Sequence, residues 1–436
     1  MKKVLILSPH FPPSGGPAVQ RMTKVVSYLP EFGWEPVVLA NSPTKNEPRD
    51  DVLLKEFPSE LRVFRISGLN IPQAVNCCIV RALLRAFIQP DLNRVWAERA
   101  LPSARKLLED GSFSAVYSTG PAGAHWLGWK LKREYGLPWI MDIRDLWTSA
   151  FTYKPVSFFH AAIDRGYEKS FLESADRVSC VSEAYPSILQ ELYPEVPARK
   201  FVVVPNGYDE ADFTPGVESS DTGFLISYVG SVYDFMVKPR AQGWKRFFEP
   251  LISGGPAVPI RSPEPLIFAV RALLDKVPEA MENVRLRFVG SFPDSYRRML
   301  SDYNLEDCVE NIGYVNHSRA VTEMQEAAVL VLIQDGYGSE IDIPGKLYEY
   351  LRSGTPVLGL LRDGLAARLI RESSAGEVIY PTDRQGVSRV LLDWYRRWRE
   401  GKPLSDPDMA YIRRFTRREQ TRLLAEHLDE IEKIPS

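Results

Sequence analysis

Cysteine is scarce in this chain of 436 residues. There are four, Cys77, Cys78, Cys180 and Cys308, and none has the paired spacing that holds zinc or staples a small secreted domain. A disulfide framework is thereby excluded, and a reducing cytoplasm is the expected setting. An excess of either charge is missing too: 54 Lys and Arg face 56 Asp and Glu, so the overall charge offers no reason to expect nucleic acid as the partner. Long apolar runs are also absent. Arg81 and Arg85 interrupt the best candidate, CCIVRALLRAFI, which falls short of the roughly 18 residues a bilayer span requires. The opening MKKVLILSPHFPPSGG has an apolar run only from Val4 to Leu7, too short for a secretory h-region, and reads as a first strand. Neither the GxGxxG spacing of dinucleotide folds nor a GK[ST] phosphate loop follows that strand.

What is present is alternation. Strand-length apolar runs (VLILS, PVVLA, AVYST, PWIMDI, RVSCVS, FVVVP) are separated by helix-length amphipathic segments such as Val19 to Phe32, a pattern that predicts parallel α/β architecture. Turn formers and acids cluster in PNGYDEADFTPGVESSDTG, residues 205–223, which marks a linker. A second series follows, with strands FLISYVG, VRLRFVG, AVLVLIQ, PVLGLL and EVIYP and helices at Ser262 to Lys276, Gly345 to Ser353 and Gly364 to Arg371. The length suits two domains, expected at 1–212 and 222–406, with a last helix over about 407–436 packing back on the first. Residues 231–262, rich in Gly, Pro and aromatics, read as an insertion where a short strand-to-helix turn would suffice.

In open α/β sheets ligands bind beyond the carboxyl ends of the strands, so the loops after each strand are the places to look for chemistry. Gly15 and Gly16 precede a helix whose first amides could meet an anion, or they form a plain tight turn. In PWIMDIRDLW, Asp142 and Asp145 bracket Arg144, as a structural salt bridge or as a site. His125 lies near a helix start beside Trp126 and Trp129, where a buried, satisfied histidine is the plainer reading. In EIDIPGKLYEYLRSGTPVLGL, Gly345 and Lys346 open a helix and Glu349 follows one turn on. A helix start with a lysine attracts a diphosphate, and a carboxylate there can accept from the vicinal hydroxyls of a ribose. A helix acid beside a lysine is the alternative.

The segments FPPSGGPAVQR, PWIMDIRDLW, ADRVSCVSEAY, FVVVPNGYD, YVGS, LRFVGS, GYVNHSRAV and IPGKLYEYLRSGTPVLG, in this order and spacing, resemble glycosyltransferase family 4. The resemblance implies the GT-B fold, two Rossmann-like domains with parallel sheets facing across a cleft. It also implies sugar transfer from a nucleotide-diphosphate donor with retention of anomeric configuration. It makes Glu349 the ribose holder, sets Gly15 and Gly16 against the donor phosphates or the acceptor, and puts Arg144 where many relatives have a histidine touching the transferred sugar. Asp145 is its neighbouring acid, His125 occupies the helix start seen in relatives with the same run, and Val315 and His317 lie in the loop that packs on the base. Ser231, Asp342 and Gly345 complete the donor contacts, while Arg261, with Lys238 and Arg240 in reserve, and Lys346 neutralise the diphosphate.

This chain departs from the family in two respects: the usual pair of glutamates, eight positions apart, would put an acid at Ile341, which is instead flanked by Glu340 and Asp342, and the basic residue expected soon after YVGS is obscured by the insertion. The expected reaction uses no cofactor and no metal, and the leaving phosphate takes the acceptor's proton. Its acceptor would be a glycan or a lipid-linked envelope precursor at the cytoplasmic membrane face. Between residues 62 and 106, eight basic residues outnumber two acids, which makes an anionic membrane surface a candidate partner beside the ordinary reading of a solvated helix pair. A nucleotide-sugar epimerase, a phosphorylase and an inactive binding subunit share the fold as alternatives.

Overall fold

The computed structural model describes residues 1–43, 49–58, 60–69, 84, 87–151, 153–155, 157–214, 223–232, 262–336 and 338–433. Contacts divide them into two units. One holds Met1–Asn206 and the C-terminal stretch from Arg417; the other is drawn from the residues between Gly207 and Thr416.

In the first unit, strands β1 (Lys2–Leu7), β2 (Trp34–Asn41), β3 (Arg62–Ile66), β4 (Ala115–Thr119), β5 (Trp139–Ile143), β6 (Arg177–Cys180) and β7 (Phe201–Val203) form one sheet in the order β3-β2-β1-β4-β5-β6-β7. All of its pairings are parallel. Helices α1 (Pro17–Tyr28), α2 (Asn93–Asp110), α3 (Ala122–Tyr135), α4 (Phe158–Ser174) and α5 (Ala184–Leu192) connect them. The central strands are buried on both faces, which is why they read as unbroken apolar runs.

The second unit repeats the plan. Strands β8 (Phe224–Val229), β9 (Val284–Val289), β10 (Val309–Gly313), β11 (Val329–Gln334), β12 (Val357–Leu361) and β13 (Gly376–Ile379) are ordered β10-β9-β8-β11-β12-β13, again all parallel. Its helices are α6 (Glu264–Lys276), α7 (Asp294–Asp302), α8 (His317–Glu326), α9 (Gly345–Ser353), α10 (Leu365–Glu372) and α11 (Arg384–Arg399). One apolar cluster joins Leu266, Val270 and Leu391 to one sheet face, and another joins Leu347, Leu351 and Ile370 to the opposite face.

Tyr208 and Phe213 pack in the second unit, and the Tyr208 amide donates to the Phe415 carbonyl at 3.0 Å, so the chain changes units just after Asn206 and returns after Thr416. The last helix, α12 (Arg417–Glu432), lays Leu424, Ala425, Leu428 and Ile431 into the first unit's core beside Val4, Met22 and Val26. In each sheet the strand order reverses once, between β1 and β4 and between β8 and β11, and a ligand crevice forms at such a point.

Candidate functional site

In the second unit the site begins at the end of β8. Gly230 follows Val229 with φ +137°, a conformation that side chains resist, and a Cβ there would lie 2.9 Å from the Lys346 ammonium. Lys346 belongs to the first turn of α9. It donates to the Val229 carbonyl at 3.1 Å and lies 4.0 Å above the Tyr228 ring, so its charge is held at the strand's carboxyl end. Tyr350, one turn on, is buried and takes hold of the same residue. Its hydroxyl accepts from the Val229 amide at 2.9 Å and donates to the Val229 carbonyl at 3.0 Å. The spacing i, i+4 puts Lys346 and Tyr350 on one helix face, and this is the signal by which Tyr350 could have been read from the sequence. Helix α9 has no side-chain cap at Pro344, which leaves the amides at Gly345 without such a partner.

Glu349 points toward α8, where His317 is the first residue. The imidazole Nε2 of His317 lies 3.6 Å from Glu349 Oε1 and 3.2 Å from Asp212 Oδ2. Asn316 sets the start of α8 by accepting the Arg319 amide at 2.9 Å, and Val315 packs against the core just before it. The structure therefore brings together Lys346, Gly345, Glu349, Val315 and His317 of the expected donor set, and adds Asp212 and Tyr350 to it. Ser231 stands at the same strand end, where its carbonyl accepts from the Tyr228 hydroxyl at 3.3 Å. Asp342 is half-buried just before α9. Glu340 is turned to Arg362, 3.9 Å away, and Arg362 also holds Asp335 at 2.5 Å. Arg261, Lys238 and Arg240 lie outside the described residues, as does most of the insertion.

The expected residues of the first unit gather at the ends of β4 and β5. Asp142, fully buried, accepts from the Thr119 hydroxyl at 2.6 Å and the Ser179 hydroxyl at 3.0 Å, and pairs with Arg21 at 3.4 Å. Burial pushes the Asp142 carboxyl up, yet Arg21 and the Thr119 hydrogen bond outweigh it and hold it below the ordinary carboxylate range. The salt bridge expected here thus forms with Arg21 of α1, which also donates to the Pro205 and Val204 carbonyls at 2.8 and 3.1 Å.

Arg144 is partly exposed and Asp145 exposed. His125 is enclosed: its Nδ1 lies 2.9 Å from the Ser118 hydroxyl, which also accepts from Trp139 Nε1, and burial pushes its pKa down to about 4. It is a neutral imidazole inside the unit rather than a group at an open surface. Gly15 and Gly16 precede α1, whose Pro17 start leaves Gly16 at the N-cap.

The described basic residues of the 62–106 stretch are largely engaged. Arg62 pairs with Glu35 at 3.0 Å, Arg94 with Glu98 at 2.9 Å and Arg105 with Glu134 at 2.9 Å, while Arg65 donates to the Pro12 carbonyl. Arg81 and Arg85 lie outside the described residues. Among the described residues no helix is long and apolar enough to cross a membrane.

A glycosyl transferase 4-like domain family matches residues 15–207, and the glycosyl transferases group 1 family matches residues 263–396; together they take in about three quarters of the chain. The D-inositol 3-phosphate glycosyltransferase of Streptomyces griseus is 23% identical over 226 residues, 50% of this chain and 44% of that protein. Its counterpart in Streptomyces coelicolor is 23% identical over 229 residues, so the chain spans about half the length of the curated relatives it matches. Among solved structures, a glycosyltransferase from Rickettsia africae is 14% identical with a TM-score of 0.64, covering 100% of this chain and 99% of that one. Anabaena HepE in complex with UDP and glucose is 13% identical with a TM-score of 0.60, covering 98% of this chain and 99% of that one. At such identities the structural likeness speaks for the fold, two α/β units each with a parallel sheet.

Proposed function

Because the chain belongs to the glycosyltransferases made of a 4-like domain followed by a group 1 domain, we propose that it moves a sugar from a nucleoside-diphosphate donor to an acceptor hydroxyl with retention of configuration. The observation that carries this reading is the end of β8. There a lysine ammonium, an uncapped helix start and, one turn on, a carboxylate with a histidine are set in the order a diphosphate and a ribose would require. Departure of the nucleotide builds negative charge on the diphosphate, and fixed positive groups aimed at it supply the largest expected catalytic contribution. Lys346 fills that role, joined in this reading by Arg261. Glu349 would accept from the ribose hydroxyls, and Gly230 would let the donor approach the backbone. Anabaena HepE was crystallised with UDP and with UDP-glucose, which supports a uridine diphosphate donor as the first to try.

No metal or cofactor enters this mechanism, and the leaving phosphate takes the proton of the attacking hydroxyl. The acceptor would be a glycan or lipid-linked envelope precursor, with Arg144 and Asp145 beside the transferred sugar it receives and the Gly15–Gly16 loop against the donor phosphates or the acceptor. The test is a panel of nucleoside diphosphates and nucleotide sugars with the purified chain, followed by thermal shift and by release of free nucleotide, with and without chelator. A ligand at a hundred times its dissociation constant raises stability by about 2.7 kcal/mol. If no nucleoside diphosphate shifts the melting temperature and no nucleotide is released, the reading fails. If UDP accumulates with no acceptor and an isomerised sugar appears, the protein is an epimerase. Salt-independent behaviour in liposome flotation would remove the membrane from the proposal.

A further inference from the structure

Arg144 leaves the sheet immediately after β5, and its guanidinium lies against Gly120, the residue that follows β4. Gly120 there has φ +103°, and a Cβ on it would come within 2.5 Å of Arg144 Nη2, so the absence of a side chain at 120 is what lets the arginine in. Once in place, the Nε and Nη1 groups are buried and have no hydrogen-bond partner among the described residues. The nearest counter-charge is engaged elsewhere: both Asp142 oxygens are taken, one by Thr119 and the other by Ser179 and Arg21. Asp145 is exposed, and His125 is neutral. Two guanidinium groups therefore share one carboxylate, and the Nε–Nη1 edge of the second is buried although the residue as a whole is partly exposed.

Guanidinium N–H groups buried without an acceptor are costly, and proteins meet them with an anion or a partner. The position is the carboxyl edge of the sheet, on the strands beside the β1/β4 reversal, where ligands bind in folds of this kind. Since a guanidinium fork matches the two oxygens of a phosphate or carboxylate, we propose that Arg144 receives an oxyanion carried by the acceptor. Acceptors with a phosphate monoester or a carboxylate near the reacting hydroxyl are then substrates, and neutral sugars are poor ones. This rests on the glycosyltransferase reading and specifies its acceptor class.

The experiment uses the full chain and measured probes: glucose 6-phosphate, glucuronate and glucose as soluble ligands, and phosphatidic acid in phosphatidylcholine vesicles as the lipid source. The soluble anions are expected to bind at least about tenfold more tightly than glucose. Binding confined to the vesicles would assign the oxyanion to a lipid headgroup. Arg144→Gln should abolish the preference for whichever anion binds, while Arg144→Lys, which keeps the charge without the fork, should retain part of it. Inorganic phosphate should raise the melting temperature of the native chain more than chloride at equal ionic strength, and should not do so for Arg144→Gln. That variant should melt no lower than the native chain in phosphate-free buffer.

Equal binding of glucose and its phosphate, an unchanged preference in Arg144→Gln, or stabilisation by chloride alike would overturn the inference. UDP binding, followed in the same samples, separates the two proposals. If UDP binds while Arg144 has no part in anion recognition, only this inference falls. If UDP does not bind while the anion does, the glycosyltransferase reading falls instead.

Discussion

His317 Nε2 and Glu349 Oε1 lie 3.6 Å apart, which joins the first residue of α8 to the second turn of α9. Asp212 closes on the same nitrogen from the other side at 3.2 Å, so two carboxylates share one imidazole. The arrangement orients Glu349 without burying it, as a carboxylate that must still accept a ligand's hydroxyls requires.

Glu349→Ala is expected to weaken nucleoside diphosphate binding by roughly 10- to 150-fold, the loss of about 1.5–3 kcal/mol for hydrogen bonds to a charged acceptor. Stability should change by less than about 1 kcal/mol, since the pair it leaves is partly exposed. Glu349→Gln should lose less. Calorimetry with UDP checks this; normal UDP binding by the alanine variant together with loss of UDP-sugar binding would move Glu349 to the sugar side.

Tyr350→Phe removes the hydroxyl that serves both polar groups of Val229. The carbonyl keeps Lys346, but the amide is stranded, at a cost of about 1–3 kcal/mol. Urea unfolding should show that loss with an unchanged slope, and a native midpoint would count against the contact.

Gly230→Ala forces a side chain into a left-handed backbone at φ +137° and into the space of Lys346. Strain of about 1–3 kcal/mol is expected, together with weaker UDP binding because Lys346 must withdraw from the strand end. A variant that binds UDP as tightly as the native chain would show that Lys346 does not serve the donor.

Acid should destabilise the first unit in two stages. His125 stays neutral in the folded chain down to about pH 4, whereas unfolded histidine takes its proton near 6.5. The unfolded state therefore binds the extra proton as pH falls through that window, and stability drops by about 3 kcal/mol. Asp142 adds a loss at still lower pH, since its folded carboxyl lies below the ordinary range and its stabilisation disappears as pH falls through the folded value. Denaturant midpoints measured across the window should slope downward, and His125→Gln should flatten the upper stage.

The parts of the fold that were legible are those buried on both faces. PWIMDI, AVLVLIQ and PVLGLL have unbroken apolar runs because helices cover both sides of their strands. RVFRI and VENIG lack that signal because in β3 and β10, at sheet edges, exposed charged and polar residues break the run, whereas the other edge strands, β7 and β13, keep adjacent apolar residues. Helix α2 was obscured by the helix-breaking Pro102 inside it. At the site, Lys346 and Glu349 were legible from their place at a helix start. The contact of His317 with Asp212 was not, because it joins residues that only the sheet brings together. Arg21 gave no sign either: in PAVQRMTK it reads as a surface arginine on an amphipathic helix, and only its burial against Asp142 reveals its role.

The placement of α12 in the first unit's core has a consequence for the order in which the molecule can assemble. Leu424, Leu428 and Ile431 are made more than 400 residues after Val4 and Ile6, yet they pack beside them. The described residues of the second unit all lie between Gly207 and Thr416 and can close as soon as they are made, whereas the first must keep an apolar face of α1 uncovered until α12 has been made. Domains normally fold in the order of synthesis; here the later one should finish first. A chain stopped before Arg417 should accordingly keep a cooperatively folded second unit, visible as a protected core in hydrogen exchange, while the first exchanges freely around Met22 and Val26.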